Sequence, residues 1–437
     1  MKRDTLSAGQ GRRSTHGRPR ELTVGHTEAD VVGNTNRPIQ IAIDALAARD
    51  GGIVRLAAGT YTCYDAVRLR PGVCLIGEPG RTILRRGPGV WCRLASDAAT
   101  SQRVIFPAEP SRFAPGMGVC LHDDLLGWVH TWNPLTVVDI ENGALRLNGY
   151  LESDCRAEEG GNAVVFNYFP LLLGILADEA GVEGLDIEAE AEAPPDVQMP
   201  RTAAVYFWRS RNVRVRRLRV RGNPGDGICL AKSSEDGVIE DCEVSHCGAE
   251  GIHPGSYSER AIVRRCRIHD NAFDGLYICW GIRSGEFTDN EIYRNGWTGF
   301  RSGISIGHQD TDCLIARNRL YENARYGLVF RRKTPANGAH RARVRENLIE
   351  NNGGRIEDFR RAGCTLPDDE LIGAGICVYG VTRDLVVEHN ILRETREGEA
   401  RLQQHGIILH PGVENEIIRD NTLLGHPGEP ILDRRGV

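Results

Sequence analysis

The stretch "DGICLAKSSEDGVIEDCEVSHCGA", residues 226–249, is followed directly by "EGIHPGSYSERAIVRRCRIHDNAF", residues 250–273. Both segments have 24 residues, and both begin with an acidic residue, a glycine and alternating apolar residues. The pattern returns further along the chain, with insertions between some repeats. A repeat of this length indicates a solenoid, in which each unit stacks on its neighbours. The anchoring glycines are Gly227, Gly251, Gly275, Gly303, Gly327, Gly375 and Gly406.

Apolar residues alternate after each anchoring glycine, as in Ile228 and Leu230, and a period of two predicts a β-strand. A second short strand follows in the same repeat, for example "GVIEDCEV". Several short strands per repeat predict an all-β protein, a parallel β-helix. Another position of the repeat is always cysteine or asparagine. Stacked asparagines can hydrogen-bond along a ladder, so we interpret this column as structural: Cys242, Cys266, Asn290, Asn318, Asn347, Asn390 and Asn421.

Composition excludes some classes of protein. The net charge of −5 gives no global reason to expect binding to nucleic acid, and no apolar run is long enough to predict a membrane span. The N-terminal segment "MKRDTLSAGQGRRSTHGRPR" is basic but lacks the apolar region of a secretory signal. With 13 cysteines, we expect free thiols and a cytoplasmic location, or a secreted one if an export signal has been removed. None of the cysteines has CxxC spacing, which argues against a zinc site.

The segment "GNTNRPIQIAIDALAARDGGIVRLAAGTY", residues 33–61, resembles the N-terminal cap and first coil of the pectate-lyase-like β-helix superfamily. The resemblance covers most of residues 31–90 and 181–437. It implies an amphipathic capping helix and a right-handed coil stack. It leaves the reaction open, because this fold carries lyases, hydrolases, epimerases and phage adhesins.

Four regions follow from this pattern. Residues 1–30 are predicted to be a flexible basic tail, and residues 31–90 the cap and first coils. Residues 91–180 break the repeat with short alternating segments and turns such as "ENG", which predicts an inserted β subdomain. Residues 181–437 are predicted to be the coils that carry the site.

Side chains two positions after each anchoring glycine should point away from the core, because the residues on either side of them point inward. That column is predicted to face solvent. It places His253 and Tyr277 on adjacent rungs, about 4.8 Å apart. The column contains Cys229, His253, Tyr277, Ser305, Val329, Cys377 and Ile408.

The residues just before the glycines form another column, which begins with Asp226, Glu250 and Asp274. Three stacked carboxylates repel one another and raise at least one pKa. Polygalacturonases are similar in placing catalytic acids at this position, although their flanking motifs are not intact here. The structural alternative is that an acid before glycine is ordinary turn chemistry.

Polar and aromatic residues gather where the strands end. An exposed Trp280 would suit stacking on a sugar ring, and "FRRK" would suit a carboxylate or sulfate. The segment "GHQDTD" could bind Ca²⁺, hold a general base or cap a turn. No cofactor is required and no metal ligand is assigned, although Ca²⁺ could bind. The residues expected to bind substrate are Trp280, Arg283, Arg301, Asp310, Arg331, Arg332 and Lys333.

The segment "RTAAVYFWRSRNVRVRRLRVR", residues 201–221, contains eight arginines. A nucleic-acid surface is one interpretation. We favour ion pairs with the acidic segment "SSEDGVIEDCE" of the next coil, because the whole protein is acidic.

The sequence leaves three alternative functions open. The first is an enzyme that acts on an anionic, uronate-type carbohydrate by β-elimination or C5 epimerisation. His253 and Tyr277 would transfer protons, and Arg301 and Arg331 would neutralise charge. The second is a glycoside hydrolase that uses the three acids; rung spacings of about 5 and 10 Å bracket the retaining and inverting geometries. The third is a non-catalytic glycan-binding or structural β-helix. We favour an enzyme with candidate catalytic residues His253, Tyr277, Asp226, Glu250, Asp274 and His308; the oligomeric state is not predicted.

Overall fold

A computed structural model describes residues 20–125, 135–158, 160–191, 202–361, 363–364 and 373–436 of the chain. Three long parallel sheets wind around one apolar core, and a smaller antiparallel sheet is inserted near the N-terminal end. In each coil the chain passes through sheet 3, then sheet 1, then sheet 2. The predicted all-β parallel β-helix is confirmed.

The strands of sheet 1 are given in spatial order. They are β2 Val31–Val32, β1 Glu21–Gly25, β3 Gly52–Leu56, β6 Val73–Ile76, β15 Gly181–Glu183, β18 Arg214–Arg216, β21 Val238–Glu240, β24 Ile262–Arg264, β27 Glu286–Thr288, β30 Leu314–Ala316, β33 Arg343–Arg345, β36 Val386–Glu388 and β39 Ile417–Arg419.

Sheet 2 follows sheet 1 in each coil. Its strands are β4 Gly59–Cys63, β7 Thr82–Arg86, β16 Asp186–Glu188, β19 Arg219–Arg221, β22 Glu243–Ser245, β25 Arg267–His269, β28 Glu291–Tyr293, β31 Arg319–Tyr321, β34 Leu348–Glu350, β37 Ile391–Arg393 and β40 Thr422–Leu424.

Sheet 3 contains the seven strands at the anchoring glycines and four further strands. Its strands are β5 Val67–Leu69, β14 Leu172–Ile175, β17 Val205–Trp208, β20 Ile228–Ala231, β23 Ile252–Pro254, β26 Leu276–Cys279, β29 Ile304–Gly307, β32 Tyr326–Phe330, β35 Ala374–Val378, β38 His405–Leu409 and β41 Ile431–Asp433.

The inserted sheet 4 lies in the chain between β7 and β14. Its neighbours pair antiparallel and it has its own apolar core, which includes Val119, Val137 and Val165. The coil resumes at β14, earlier than the predicted boundary at residue 181. Its strands in spatial order are β8 Trp91–Arg93, β13 Val164–Phe166, β10 Gly118–His122, β11 Leu135–Glu141, β12 Ala144–Leu147 and β9 Val104–Ile105.

Helix α1, Asn36–Ala47, covers the first coils. Thr35 caps it by accepting a hydrogen bond from the Arg37 N–H. Its buried face includes Ile39, Ile43 and Leu46, the spacing expected of an amphipathic helix. A short helix α2, Ile356–Arg361, and the 3-10 turns Pro110–Arg112, Pro335–Asn337 and Gly398–Ala400 lie in loops.

The predicted tail is corrected in part. Residues 1–19 lie outside the described residues, but β1 within the predicted tail pairs in parallel with β3. Val24 is fully buried there, so this segment belongs to the solenoid. None of the helices in the described ranges is long and apolar enough to cross a membrane.

The predicted asparagine column forms a buried ladder. Nδ2 of Asn290 donates to Oδ1 of Asn318 at 3.0 Å, and the same bond continues through Asn347, Asn390 and Asn421. Each Oδ1 also accepts the main-chain N–H of the preceding asparagine. The structural interpretation of this column is therefore confirmed.

A second ladder was not predicted. It runs through Asn271, Asn295, Asn323 and Asn352 and ends on Gln403, with side-chain bonds of 2.9–3.1 Å. Its asparagines follow the members of the first column by a constant five residues. That offset is the signal in the sequence that could have revealed it.

The arginine-rich segment is paired, as favoured from the sequence. Arg216 contacts Glu240 of the next coil at 2.8 Å, and Arg219 lies 3.8 Å from Glu243. Other partners lie on the preceding coil, where Arg219 contacts Asp186 at 3.1 Å. The charges on this side of the solenoid are largely balanced by neighbouring rungs.

Candidate active site

The outer face of sheet 3 carries the column predicted two positions after each glycine. The strand registers align Cys229 with His253, Tyr277 with Ser305, and Ser305 with Val329. The column points away from the core, as predicted, but most of it does not face solvent. Ser305 is 2% exposed and Val329 is 7% exposed, because bulky neighbours on the same face cover them. The side chain of His253 keeps 21% exposure.

His253 is held by a carboxylate from the rung below. Its Nδ1 lies 2.7 Å from Oδ2 of Asp226, and the other carboxylate oxygen accepts the Glu250 N–H at 3.2 Å. Nδ2 of Asn223 donates to the Asp226 carbonyl at 2.7 Å and fixes the turn. Burial lowers the pKa of His253, but the charges of Cys229 and Asp226 and the hydrogen bonds to them raise it well above its ordinary value.

The three stacked acids are buried. Asp226, Glu250 and Asp274 are each 2% exposed. Like Asp226, Asp274 accepts a main-chain N–H of the next rung, that of Ser302 at 2.8 Å. Capping of the next rung is thus one role of this column, and a role of the three acids in hydrolysis stays a prediction.

Tyr277 lies beside His253, as predicted from adjacent rungs. The two ring centroids are 5.0 Å apart in an edge-to-face arrangement. On the other side of Tyr277, the guanidinium carbon of Arg331 lies 4.3 Å from the ring centroid. Burial raises the pKa of Tyr277 and Arg331 partly offsets this, so the side chain is a neutral phenol at neutral pH.

The Arg331 guanidinium forms hydrogen bonds with other groups of the protein. It donates to Ser305 Oγ at 2.7 Å, to the Ile278 carbonyl at 2.6 Å and to the Gly307 carbonyl at 3.1 Å. Its side chain is only 12% exposed. The prediction that Arg331 binds substrate is corrected: this residue positions Tyr277 and Ser305.

A second thiol–imidazole pair lies where the strands end. Sγ of Cys279 is 3.0 Å from Nδ1 of His308, and the His308 ring packs 5.5 Å from Trp280, which is 55% exposed. Burial, together with the charges of Arg331 and Lys333, lowers the pKa of His308 to about 4. His308 is therefore neutral at neutral pH, beside an exposed aromatic platform.

Asp310 is fully buried, which corrects its predicted contact with substrate. Its carboxylate accepts the N–H groups of Gly281, Ile282 and Gly307 at 2.9–3.0 Å, and Arg331 lies 3.6 Å away. Burial raises the pKa of Asp310 to about 7, against the opposing effects of Arg331 and the three donors. Asp310 shapes the loop after β29.

Asp312, two residues further on, pairs with Arg341 at 2.7 Å. Asp310 is turned inward instead, and His308 contacts Cys279. The three side chains of "GHQDTD" have separate partners, so the considered Ca²⁺ site in this segment is corrected.

The remaining predicted cations are dispersed. Arg283 lines a cavity of about 510 Å³ together with Gln309 and His340. Arg301 lies at the start of β29, with its guanidinium carbon 5.6 Å from the Phe273 ring. Arg332 is exposed, 5.8 Å from the ring of Tyr379. Among these predicted cations, Lys333 lies close to the pair of Cys279 and His308, because its charge contributes to the lowered pKa of His308.

The C-terminal half of the same face is an apolar cluster. Val329, Cys377 and Ile408 are buried with Tyr326 and Tyr379 around them. The hydroxyls of the two tyrosines lie 3.1 Å apart. We call rungs β20 to β29 the polar half of the face and rungs β32 to β38 the apolar half.

Cys229, Cys279 and Ser305 belong to the polar half but were not predicted as site residues. Cys229 and Ser305 occupy the outward column, and Cys279 ends the strand that carries Tyr277. Their contacts with His253, His308 and Arg331 depend on neighbouring rungs. For Cys229 and Ser305, the position in the outward column was the signal in the sequence that could have identified them as site residues.

Comparison with known proteins supports the fold. A family model described as a right handed beta helix region matches residues 203–392. No curated protein matches the chain. The matched region is similar to that family, and together with the stacked parallel sheets it supports a right-handed parallel β-helix fold.

Solved structures of the same fold align over almost the whole chain. The Azotobacter vinelandii mannuronan C-5 epimerase AlgE4 A-module is 16% identical with a TM-score of 0.54, covering 93% of this chain and 97% of that one. The Dettilon tailspike protein gp208 is 13% identical with a TM-score of 0.55, covering 94% and 68%. Geobacillus virus E2 ORF18 is 11% identical with a TM-score of 0.52, covering 93% and 62%. At these identities the likeness shows the fold alone.

Proposed function

We propose that the polar half of the face binds an anionic, uronate-type carbohydrate and transfers protons at the carbon next to its carboxylate. The proposal covers β-elimination and C5 epimerisation, which share that first step. The observation that carries it is the pairing of His253 with Tyr277, their rings 5.0 Å apart on adjacent rungs. Two proton-transfer groups of different chemistry on one face are what both reactions need.

A neighbouring side chain fixes each of the two proton-transfer groups. Asp226 fixes His253 through Nδ1, and 21% of the His253 side chain stays exposed, open to substrate. Arg331 lies against Tyr277 and is itself anchored by three hydrogen bonds. Side chains fixed in this way lose little freedom when substrate binds, which favours catalysis.

The chemistry differs between the two reactions only after the first step. One side chain takes the C5 proton. In elimination, the bond from C4 to the leaving oxygen breaks as the double bond forms, and the other side chain protonates that oxygen. In epimerisation, the other side chain returns a proton to the opposite face of C5.

Binding is assigned to the strand ends. Trp280 offers an exposed ring for stacking on a sugar, and Lys333 supplies a cation next to His308 for the carboxylate. We expect Trp280→Ala to raise KM about tenfold with little change in kcat, since it removes binding shared by the ground and transition states.

The hydrolase reading is less well supported, because the three acids are buried and at least two of them cap main-chain N–H groups of the next rung. The test is a panel of uronate and neutral glycans in D2O. It is followed by the ultraviolet absorbance of unsaturated uronate, by NMR for deuterium at C5, and by reducing ends.

Absorbance that disappears in Tyr277→Phe supports elimination, and deuterium without absorbance supports epimerisation. New reducing ends without either signal contradict the proposal and point to hydrolysis. Binding without any reaction across the panel contradicts it in favour of a glycan-binding protein.

A further inference from the structure

Asp226, Cys229 and His253 form a compact trio on the outer face of sheet 3. One potential ligand atom from each side chain lies within 4.8 Å of the other two. Cys229 and His253 are register partners on β20 and β23, and Asp226 immediately precedes the glycine that begins the β20 repeat. Cys229 and His253 are therefore placed by the parallel ladder, and Asp226 by the turn that leads into β20.

The trio is buried on all sides but one. Asp226 is 2% exposed and Cys229 is 4% exposed, whereas the His253 side chain retains 21% exposure. An ion could enter along the edge of His253, and a position on that side would stay open to water or another ligand. Three protein ligands with an open position are typical of reactive zinc sites.

We propose that Asp226, Cys229 and His253 bind a thiolate-preferring divalent transition metal of the Zn²⁺ class. A thiolate, an imidazole and a carboxylate match the softness of such ions, whereas Ca²⁺ requires six to eight oxygen ligands. Two anionic ligands balance the charge of the ion, so the complex is neutral in its buried surroundings. The main-chain N–H of Glu250 on the second carboxylate oxygen of Asp226 provides the outer support that metal ligands usually have.

The geometry needs only a small adjustment. Zinc bonds of about 2.0–2.3 Å in a tetrahedron separate the ligand atoms by roughly 3.3–3.8 Å. Asp226 and His253 stand at 2.7 Å, a hydrogen-bonded distance, so the ion replaces the proton between them and widens the gap. The spacing of cysteines along the chain argued against zinc because the ligands come from two rungs rather than from one loop.

The nearby pair of Cys279 and His308 is a natural control. Its Sγ–Nδ1 distance is 3.0 Å, which also brings a thiol to an imidazole. The charges of Arg331 and Lys333 act on it, however, and would repel a cation. The carboxylate of Asp310 is committed to three main-chain N–H groups. We therefore expect no metal there.

This inference goes beyond the proposed function and does not rest on it. The two are linked in one respect: a metal that takes His253 as a ligand removes it from proton transfer. If both proposals hold, Zn²⁺ inhibits turnover of the glycan. Metal binding itself is measured without substrate, so either proposal can fail alone.

The test is titration of the purified, metal-free full chain with Co²⁺, followed by absorption spectroscopy. We expect one Co²⁺ per chain, intense visible bands of tetrahedral coordination and a near-ultraviolet thiolate charge-transfer band, all displaced by Zn²⁺. Cys229→Ser should abolish the thiolate band, and Asp226→Asn should weaken Co²⁺ binding by about a hundredfold or more. Cys279→Ser should leave the spectrum unchanged.

A spectrum without a thiolate band in the unmodified protein would overturn the proposal, as would a band lost in Cys279→Ser and kept in Cys229→Ser. Circular dichroism of each variant checks that the solenoid is folded. Should Cys229→Ser not fold, His253→Gln replaces it, with the same requirement that tetrahedral Co²⁺ absorption disappears.

Discussion

The polar and apolar halves of the sheet 3 face are built on one repeat, yet they have different chemistry. Cys229, His253, Tyr277 and Ser305 occupy the outward column in the polar half. In the apolar half the same column holds Val329, Cys377 and Ile408. The backbone geometry is the same along the stack, so side-chain identity alone makes the difference.

The surroundings of the two halves differ as well. In the apolar half, the Tyr326 and Tyr379 hydroxyls lie 3.1 Å apart, Arg325 donates to the Tyr379 hydroxyl, and aliphatic side chains pack against the tyrosines. In the polar half, the His253 imidazole lies 2.7 Å from the Asp226 carboxylate, its ring centroid is 5.0 Å from that of Tyr277, and its side chain is 21% exposed. A solenoid can thus confine chemistry to a few rungs and use the rest of the column for stability.

The largest effect should come from the two proton-transfer groups. We expect His253→Ala and Tyr277→Phe each to lower kcat on the active glycan by about 10²–10⁴-fold, the usual contribution of acid–base catalysis. Tyr277→Phe should leave the fold intact because only a hydroxyl is lost. The measurement is steady-state kinetics with thermal unfolding in parallel.

Tyr326→Phe is the matched control in the apolar half. It removes a hydroxyl from the same type of residue, one that pairs with Tyr379. We expect a loss of about 1 kcal/mol in the free energy of unfolding and no change in kcat. Equal losses of activity in both variants would contradict the division of the face into two halves.

The next effect concerns the loop that supports the polar half. Asp310→Ala removes the acceptor of three buried N–H groups and the carboxylate that lies 3.6 Å from Arg331. We expect the free energy of unfolding to fall by roughly 3–5 kcal/mol. Asp312→Ala, which breaks a largely exposed pair with Arg341 in the same loop, should cost less than about 1 kcal/mol. Denaturant unfolding distinguishes the two.

A smaller effect depends on pH. The folded-state pKa of His308, about 4, is below its ordinary value of 6.5, so the folded protein binds fewer protons than the unfolded chain between these limits. The stabilisation is present above pH 6.5 and is lost as pH falls toward 4. Cys279, Trp280, Arg331 and Lys333 are the groups that face His308.

We expect the unfolding free energy of His308→Gln to fall by about 1–2 kcal/mol less than that of the unmodified protein when the pH drops from 7 to 4. This figure allows for solvent screening, because the site is partly exposed. The quantity to measure is the difference in unfolding free energy between the two proteins from pH 4 to 7. A difference that does not vary with pH would contradict the assignment of a lowered pKa to His308.

Much of the fold was predictable because a solenoid repeats its local rules. The glycine register located the strands of sheet 3, and the first asparagine column followed from the same alignment. The second ladder, from Asn271 to Gln403, was equally present as a constant offset.

The site was less predictable, for a physical reason. Alternation shows which side chains leave the core, but exposure depends on what stands on neighbouring rungs. Asp310 is an example: His308 and Gln309 both have positive φ, 64° and 68°, and the chain turns back so that Asp310 binds the Gly307 N–H. Arg331 likewise turns along the face to Ser305, a contact that sequence spacing does not reveal.

The smallest effect tests the boundary between the two halves by exchanging chemistry across it. Ser305 and Val329 are register partners on β29 and β32. Val329→Thr keeps the shape but buries a hydroxyl in the apolar cluster, which should cost about 1–2 kcal/mol of stability and leave kcat unchanged. Ser305→Val should instead lower kcat, because Arg331 loses one of its three anchoring hydrogen bonds, that of 2.7 Å, and holds Tyr277 less firmly. If the two substitutions affected kcat equally, position in the column rather than side-chain chemistry would control the site.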